Sequence, residues 1–344
     1  MTVLSTAFLD YHHQIVQKDE EQTLLNNLGN LLVKQGLQVD KCALAHFYVT
    51  LKSNKSLLLA GQAQSGKRML VEGVGRVLTD DPLQAQFMVG HARWASQSQN
   101  VTQFVEAQAT WNRQRLMILL EEAIRPENAD RLYVACLHQI SPAELHNLFS
   151  SPGLLLFQES DLIPFPPNFR LIGTMDTNRF PWWTPELLSH TAIVQWQPRS
   201  IPCIYQSSPL DSGVGKIFLR VCIKHEQIAY PRLLQIFDNQ QPFQWLIQVV
   251  SLLHDYGVTV PRDAVNQAIV FLANSWTQDG RGLFASSLSE NLLVAYDLAL
   301  GQYILPWIAT TKHAGFALNR QIERLFNGRF PYATAFLETL LGDV

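Results

Sequence analysis

The first clear apolar period along the chain is set by Leu24, Leu25, Leu28, Leu31 and Leu32. Spacings of i, i+4 and i+7 put them on one helical face, and Gly36 is placed to stop that helix. Asp40 then stands where it can cap a second helix carrying Ala43, Leu44, Phe47 and Leu51 on one side. The period changes at Ser56. Leu57-Leu58-Leu59-Ala60 is a short continuous apolar run ending in glycine, the pattern of a strand buried on both faces of a parallel sheet. A helix-like stretch follows from Lys67 to Leu78. Further strand candidates are Phe87–Val89, Leu116–Leu120, Phe169–Ile172 and Ala192–Val194. Strands alternating with helical stretches predict a parallel sheet covered by helices.

Beyond about Pro198 the strand signal fades. Phe243–His254, Arg262–Trp276, Leu288–Tyr303, Phe316–Phe326 and Tyr332–Leu341 read as helices, punctuated by Pro231, Pro242, Pro261, Pro306 and Pro331. The predicted layout is an N-terminal helical segment over 1–55, an α/β core over 56–197 and an all-helical part over 198–344.

Composition narrows the class. With 47% apolar and 16% charged residues the chain is globular, and its 344 residues suit more than one small core. A net charge of −3 argues against direct nucleic-acid binding by this chain alone. Cys42, Cys136, Cys203 and Cys222 form no C-x-x-C pair and no zinc spacing, so reduced thiols in the cytoplasm are expected. Asp10, His12 and His13 interrupt any apolar leader, and Asp297 and Pro306 break the apolar stretch from Leu292 to Ile308. No membrane span is expected.

The candidate chemistry begins after the first strand. Gly61-Gln62-Ala63-Gln64-Ser65-Gly66-Lys67-Arg68 follows the pattern G-x-x-x-x-G-K-[ST] except at its last position. The glycines let backbone N–H groups turn inward, the helix N-terminus adds positive potential, and Lys67 supplies a charge for phosphate. The hydroxyl usually found at position 68 coordinates Mg²⁺, and an arginine cannot. Arg68 could carry phosphate in place of the metal, pair with Glu121 or Asp176 and fill the site, or face solvent on the first helical turn. The first two readings predict little benefit from Mg²⁺. Downstream, Leu116–Leu120 ends in Glu121-Glu122, where a Walker B strand would end in Asp-Glu.

Leu162-Ile-Pro-Phe-Pro-Pro-Asn-Phe-Arg-Leu-Ile-Gly-Thr-Met-Asp-Thr-Asn178 resembles the sensor 1 region of McrB-like AAA+ proteins, with "P-x-N" before a strand ending in "G-T-M-N". Leu154 to Ile163 would be the hairpin before it. Glu121-Glu122-Ala-Ile-Arg stands where that family writes "D-E-[IM]-N-[LR]". Phe180 to Val194 is similar to "F-S-P-x-[VL]-[LI]-D-R-A", and Ala295 to Pro306 is similar to a lid helix ending in "[IV]-[IL]-P". The similarity covers roughly residues 45 to 340. It implies a P-loop AAA+ type three-layer core with a central parallel sheet, N-terminal helices and a helical C-terminal lid. It also implies ATP or GTP as ligand, assembly into a ring with like or unlike AAA+ subunits, and a partner protein of nuclease type.

The departures fall on working positions. Arg68 replaces the metal-binding hydroxyl, and Glu121, the remaining candidate metal ligand, replaces the Walker B Asp. Asp176 replaces the sensor 1 Asn, where a carboxylate would repel phosphate unless protonated or paired with a cation. His190 stands at the arginine-finger position. Asn178 or Arg179 could serve instead of Asp176, because the spacing from Met175 to Phe180 fits the family poorly. Trp182-Trp183 could stack a base, though lid packing is the default for such aromatics. One of Arg320, Arg324 and Arg329 could reach a nucleotide from the lid, against a default of a solvated face.

Two functions stay open: a catalytically impaired scaffold or regulatory subunit, favoured by the altered positions, and an active motor driving a partner, favoured by the retained Lys67 and Glu122. Either reading expects Leu57–Ala60 to lie centrally, flanked by the strand ending at Leu120 and the one ending at Gly173. Lys67 and Glu122, bridged by one nucleotide and its metal, should then lie within about 15 Å of one another.

Overall fold

The structure is a computed structural model that describes residues 20–90, 101–140, 145, 165–176, 184–197, 204–205, 213–237, 242–311 and 316–341. The two N-terminal helices form where the apolar spacing puts them. Helix α1 spans Glu20–Lys34 and α2 spans Lys41–Ser53, and the Ala43 N–H donates to the Asp40 carboxylate at 2.8 Å. Strand β1 (Ser56–Gly61) is buried along its whole length and leads through a loop into α3 (Lys67–Leu78). Strand β2 (Ala85–Val89), helix α4 (Val101–Ile124), β3 (Tyr133–His138), β4 (Phe169–Asp176), the short helix α5 (Pro185–His190) and β5 (Ala192–Gln195) complete the α/β part.

The five strands form one sheet in the order β2-β3-β4-β1-β5, and every pairing is parallel. Helix α3 packs along β2, β3 and β4, and α4 along β2 and β3. The chain leaves β1 for the far edge, steps back through β2, β3 and β4, and then places β5 on the other side of β1. The carboxyl end of β1 is therefore the point where the strand order reverses, the position at which open α/β sheets gather ligand-binding loops.

One strand differs from the expectation. Leu116–Leu120 is not a strand but lies within α4. The strand beside β4 is Tyr133–His138, which the apolar pattern did not single out, so β1 is flanked by β4 and β5. Leu, Met, Glu and Ala are strong helix formers, and only one β-branched residue stands in Leu-Met-Ile-Leu-Leu. No turn residue interrupts the helix before Arg125-Pro126.

The remaining helices are α6 (Val214–Val221), α7 (Glu226–Ile236), α8 (Gln244–Asp255), α9 (Arg262–Asn274), α10 (Leu288–Ala299), α11 (Phe316–Phe326) and α12 (Pro331–Leu341). A π-turn (Leu300–Ile304) and a 3-10 stretch (Leu305–Thr310) continue α10. The segment Leu288–Thr310 is long and apolar enough to cross a membrane by length and composition. However, 78% of its most apolar window is buried within the protein, as in a core helix. Asp297 and Pro306 do not break it. Asp297 instead accepts the N–H groups of Tyr332 and Ala333 at 2.9 and 2.7 Å and so caps α12.

Polar clamps tie the C-terminal helices to the N-terminal ones across a continuous apolar core. His46 bonds Gln302 at 2.8 Å, and Asn54 donates to the Tyr303 hydroxyl at 2.6 Å. Burial lowers the His46 pKa to about 4, so its ring is neutral and its Nε2–H donates to the Gln302 oxygen. Lys52, 1% exposed, pairs with the buried Glu21 of α1 and donates to the Asn274 carbonyl of α9 at 2.9 Å. Replacing Lys52 by methionine would leave the Glu21 carboxylate buried without its ammonium. We expect a loss of about 3–5 kcal/mol in urea denaturation, the range for breaking one side of a buried pair. A loss below about 1 kcal/mol would contradict this role.

Candidate functional site

The loop after β1 meets the carboxyl ends of β3, β4 and β5, and small residues are required where it is tightest. A side-chain carbon on Gly61 would run into the Trp196 carbonyl oxygen. Gly66, the residue before α3, has φ of +83°, and a side-chain carbon there would overlap Leu37. Gln64 also lies in the left-handed region at φ +63°. The tip, Gln62 to Gln64, is exposed, whereas Gly66 and Lys67 are buried. Among the described residues, the N–H groups of Gln64 and Gly66 meet no acceptor.

Trp196, immediately after β5, fixes this loop from one side. Its N–H donates to the Ala60 carbonyl at 2.7 Å, and its indole N–H donates to the Ser65 carbonyl at 2.9 Å. Nothing in the phosphate-loop pattern points to it. The available signal was a tryptophan directly following a strand that ends beside β1.

Lys67 is 3% exposed and folds back over the loop. Its ammonium donates to the carbonyls of Gly61 and Gln62 at 3.1 and 2.6 Å and to the Ser65 hydroxyl at 3.2 Å. It also forms an ion pair with Asp176, the last residue of β4, at 3.0 Å. Asp176 therefore stands beside the loop as the sequence suggested, and it is held by a cation. Gln139, just beyond β3 and at φ +57°, donates from its amide to the other Asp176 oxygen at 3.0 Å.

Partial burial works to raise the Asp176 pKa. Hydrogen bonds from Lys67 and Gln139, with the Lys67 charge, outweigh it and hold the carboxyl below its usual range. Strand β3 ends in His138, which bonds the Thr174 hydroxyl at 2.6 Å. Burial lowers the His138 pKa, Arg68 and Lys67 lower it further, and Asp176 and Glu72 act against them. The ring is neutral at pH 7.

Arg68 does not point into the loop. It is exposed on the first turn of α3 and pairs with Glu72 one turn on at 2.6 Å. Its ion-pair partner is Glu72 rather than Glu121 or Asp176, so it does not fill the site.

Glu121 and Glu122 are not at this site. Helix α4 runs against the direction of β2: Asn112 donates to the Val89 carbonyl at its carboxyl end, and Arg115 reaches Phe87 and Gln86 further back. By Ala123 the helix has reached Asn168, which precedes β4 and donates to the Ala123, Asn128 and Arg131 carbonyls at 3.0, 2.8 and 3.1 Å. The eight residue steps from Asn168 to Asp176 span roughly 26 Å at strand rise. The two glutamates thus lie at the amino edge of the sheet and Lys67 at the carboxyl edge, well beyond 15 Å. Glu121 is exposed, and Glu122 pairs with Arg125 at 3.0 Å. The segment carrying them is a helix running the other way, so neither stands where a catalytic acid or metal ligand of this loop would.

His190, the arginine-finger candidate, is the exposed last residue of α5. Asn178, Arg179, Trp182 and Trp183, and the hairpin expected at Leu154 to Ile163, lie outside the described residues. No group of three or more His, Cys, Asp or Glu side chains suited to a metal ion occurs among the described residues.

By fold the chain is an α/β protein with an all-parallel five-stranded sheet, and its loop, lysine and carboxylate converge where the strand order reverses. Comparison with protein-family models and with curated proteins finds no match.

The depressed Asp176 pKa gives a pH dependence with a defined sign. Its contribution to stability is complete above the unfolded carboxyl value and is lost as pH falls through the lower folded value. The stability difference between wild type and Asp176→Asn should stay constant above about pH 5 and shrink below about pH 4. Denaturant titrations across that range test it, and a difference that persists unchanged to pH 3 would contradict it.

Proposed function

We propose that this chain is a P-loop nucleotide-binding module of McrB-like AAA+ character that holds ATP or GTP weakly, without hydrolysing it. Its role is that of a scaffold or regulatory subunit in an AAA+ ring, with a partner of nuclease type. The observation that carries the proposal is a contrast at the carboxyl edge of the sheet. A strand–loop–helix cradle with a buried lysine stands two strands from β3, at whose end are His138 and then Gln139 rather than two acids.

The cradle supports phosphate recognition. Loop N–H groups, the positive end of α3 and an ammonium meet at one place, and each favours an anion. The chemistry around it supports binding without turnover. Phosphoryl transfer to water needs a group that orients the water and a metal that bridges the outer phosphates. A neutral histidine at the end of β3 offers no anionic ligand to Mg²⁺, Arg68 offers no hydroxyl, and Asp176 is committed to Lys67. The alternative of an active motor loses its catalytic glutamate with the placement of Glu122.

Saturable binding of labelled ATP or GTP by the full chain, little changed by Mg²⁺ and without turnover, is the expected result. Lys67→Ala should weaken it, because that ammonium would contact ground-state phosphate. Glu122→Gln should titrate as wild type does, since its side chain lies at the opposite edge. Mg²⁺-stimulated hydrolysis that Glu122→Gln abolishes would contradict the reading and restore the motor alternative.

A further inference from the structure

We infer that the Asp176 carboxylate acts as an internal substitute for a phosphate group, closing the loop over Lys67 until a phosphate-class anion displaces it. This inference rests on the nucleotide-binding reading and adds an autoinhibitory contact to it. Lys67 has one anionic partner among the described residues, and that partner comes from β4, 109 positions away in the sequence. The other three acceptors belong to the loop itself, so the ammonium bends back toward Gly61 and Gln62. A phosphate oxygen and a carboxylate oxygen make the same kind of charge-assisted bond to an ammonium at similar length. Both cannot occupy the same side of Lys67, and two anions in contact would repel.

The carboxylate is positioned rather than loose. Gln139 holds its second oxygen, and the Gln139 N–H is itself held by the Thr174 hydroxyl at 3.1 Å. The groups facing Asp176 are Lys67 from α3 and His138 and Gln139 from the end of β3, so one full cation acts on it at neutral pH. Strand β4 presents Asp176 at its last position, opposite Gly61 of β1. The exchange is a displacement of one anion by another and breaks no covalent bond. Its thermodynamic consequence is that apparent affinity for phosphate is reduced by the fraction of molecules in which the contact is closed.

Two measurements on the full chain separate this contact from the reading it rests on. The first is acetylation of lysines by acetic anhydride, followed by mass spectrometry of the Lys67 peptide with no ligand present. Asp176→Asn should raise Lys67 reactivity relative to other lysines, and unchanged reactivity would overturn the latch. The second is calorimetric titration with ATP and with inorganic tripolyphosphate. Asp176→Asn should bind both about 10- to 100-fold tighter than wild type, the range for removing one charge-assisted competitor. Adding Lys67→Ala should cancel the gain. Equal affinities of wild type and Asp176→Asn would overturn the latch and leave the nucleotide reading standing. Raised reactivity with no binding of either probe by either protein would leave Lys67–Asp176 as a purely structural pair and overturn both the displacement by phosphate and the nucleotide reading. Gln139→Ala keeps the ion pair but removes its second donor. It should give an intermediate gain, which guards against misfolding of the Asp176 variant.

Discussion

An ammonium that is 3% exposed must be surrounded by acceptors, and the carboxyl edge of the sheet is arranged around that need of Lys67. Strand β1 is buried from Ser56 to Gly61 and can turn away only at its end. The turn must be tight, because Trp196 presses its carbonyl against Gly61 and Leu37 lies over Gly66. Within that confined space the lysine stem is forced back over its own loop, and two loop carbonyls and a hydroxyl take three of its contacts. Those neutral acceptors do not balance its charge. Asp176 does, and its placement at the end of β4 follows from the register that sets Gly61 opposite Asp176.

That register also accounts for the chemistry at the site. The strand next to β4 is β3, and its last residue His138, with Gln139 just beyond it, supplies a neutral ring and an amide rather than carboxylates. The network His138–Thr174–Gln139–Asp176–Lys67 is well suited to hold one anion against one cation and poorly suited to hold a divalent metal. The scaffold or regulatory role proposed above draws its support from this network rather than from any retained catalytic acid.

Much of this was legible in the sequence because it depends on local pattern. The bounds of β1 and α3, the Asp40 cap and the loop Gly61 to Lys67 follow from apolar period, capping chemistry and glycine placement. The exchange of Leu116–Leu120 for Tyr133–His138 was not legible from apolar runs alone. A short apolar run inside a long helix and a buried parallel strand look alike, and only the preference of Leu and Met for helix against Tyr and Val for strand separates them. That one exchange moved the supposed catalytic glutamates from one edge of the sheet to the other. Asp176 was recognised as an anion needing a cation, but its partner was not. Arg68 lies adjacent in sequence to the true partner and differs from it by pointing outward on the helix. Contacts such as Trp196 to Ser65 depend on sheet order, which no local window contains.

The central claim is that Lys67 and Asp176 act as a pair in the folded, unliganded protein. A double-mutant cycle on stability, with Lys67→Met, Asp176→Asn and both together, measures it without reference to any nucleotide. The account predicts a coupling of about 1 kcal/mol or more, above the range of a solvent-screened surface pair, because Lys67 is buried although Asp176 is partly exposed. Additivity of the two substitutions within about 0.3 kcal/mol would contradict it.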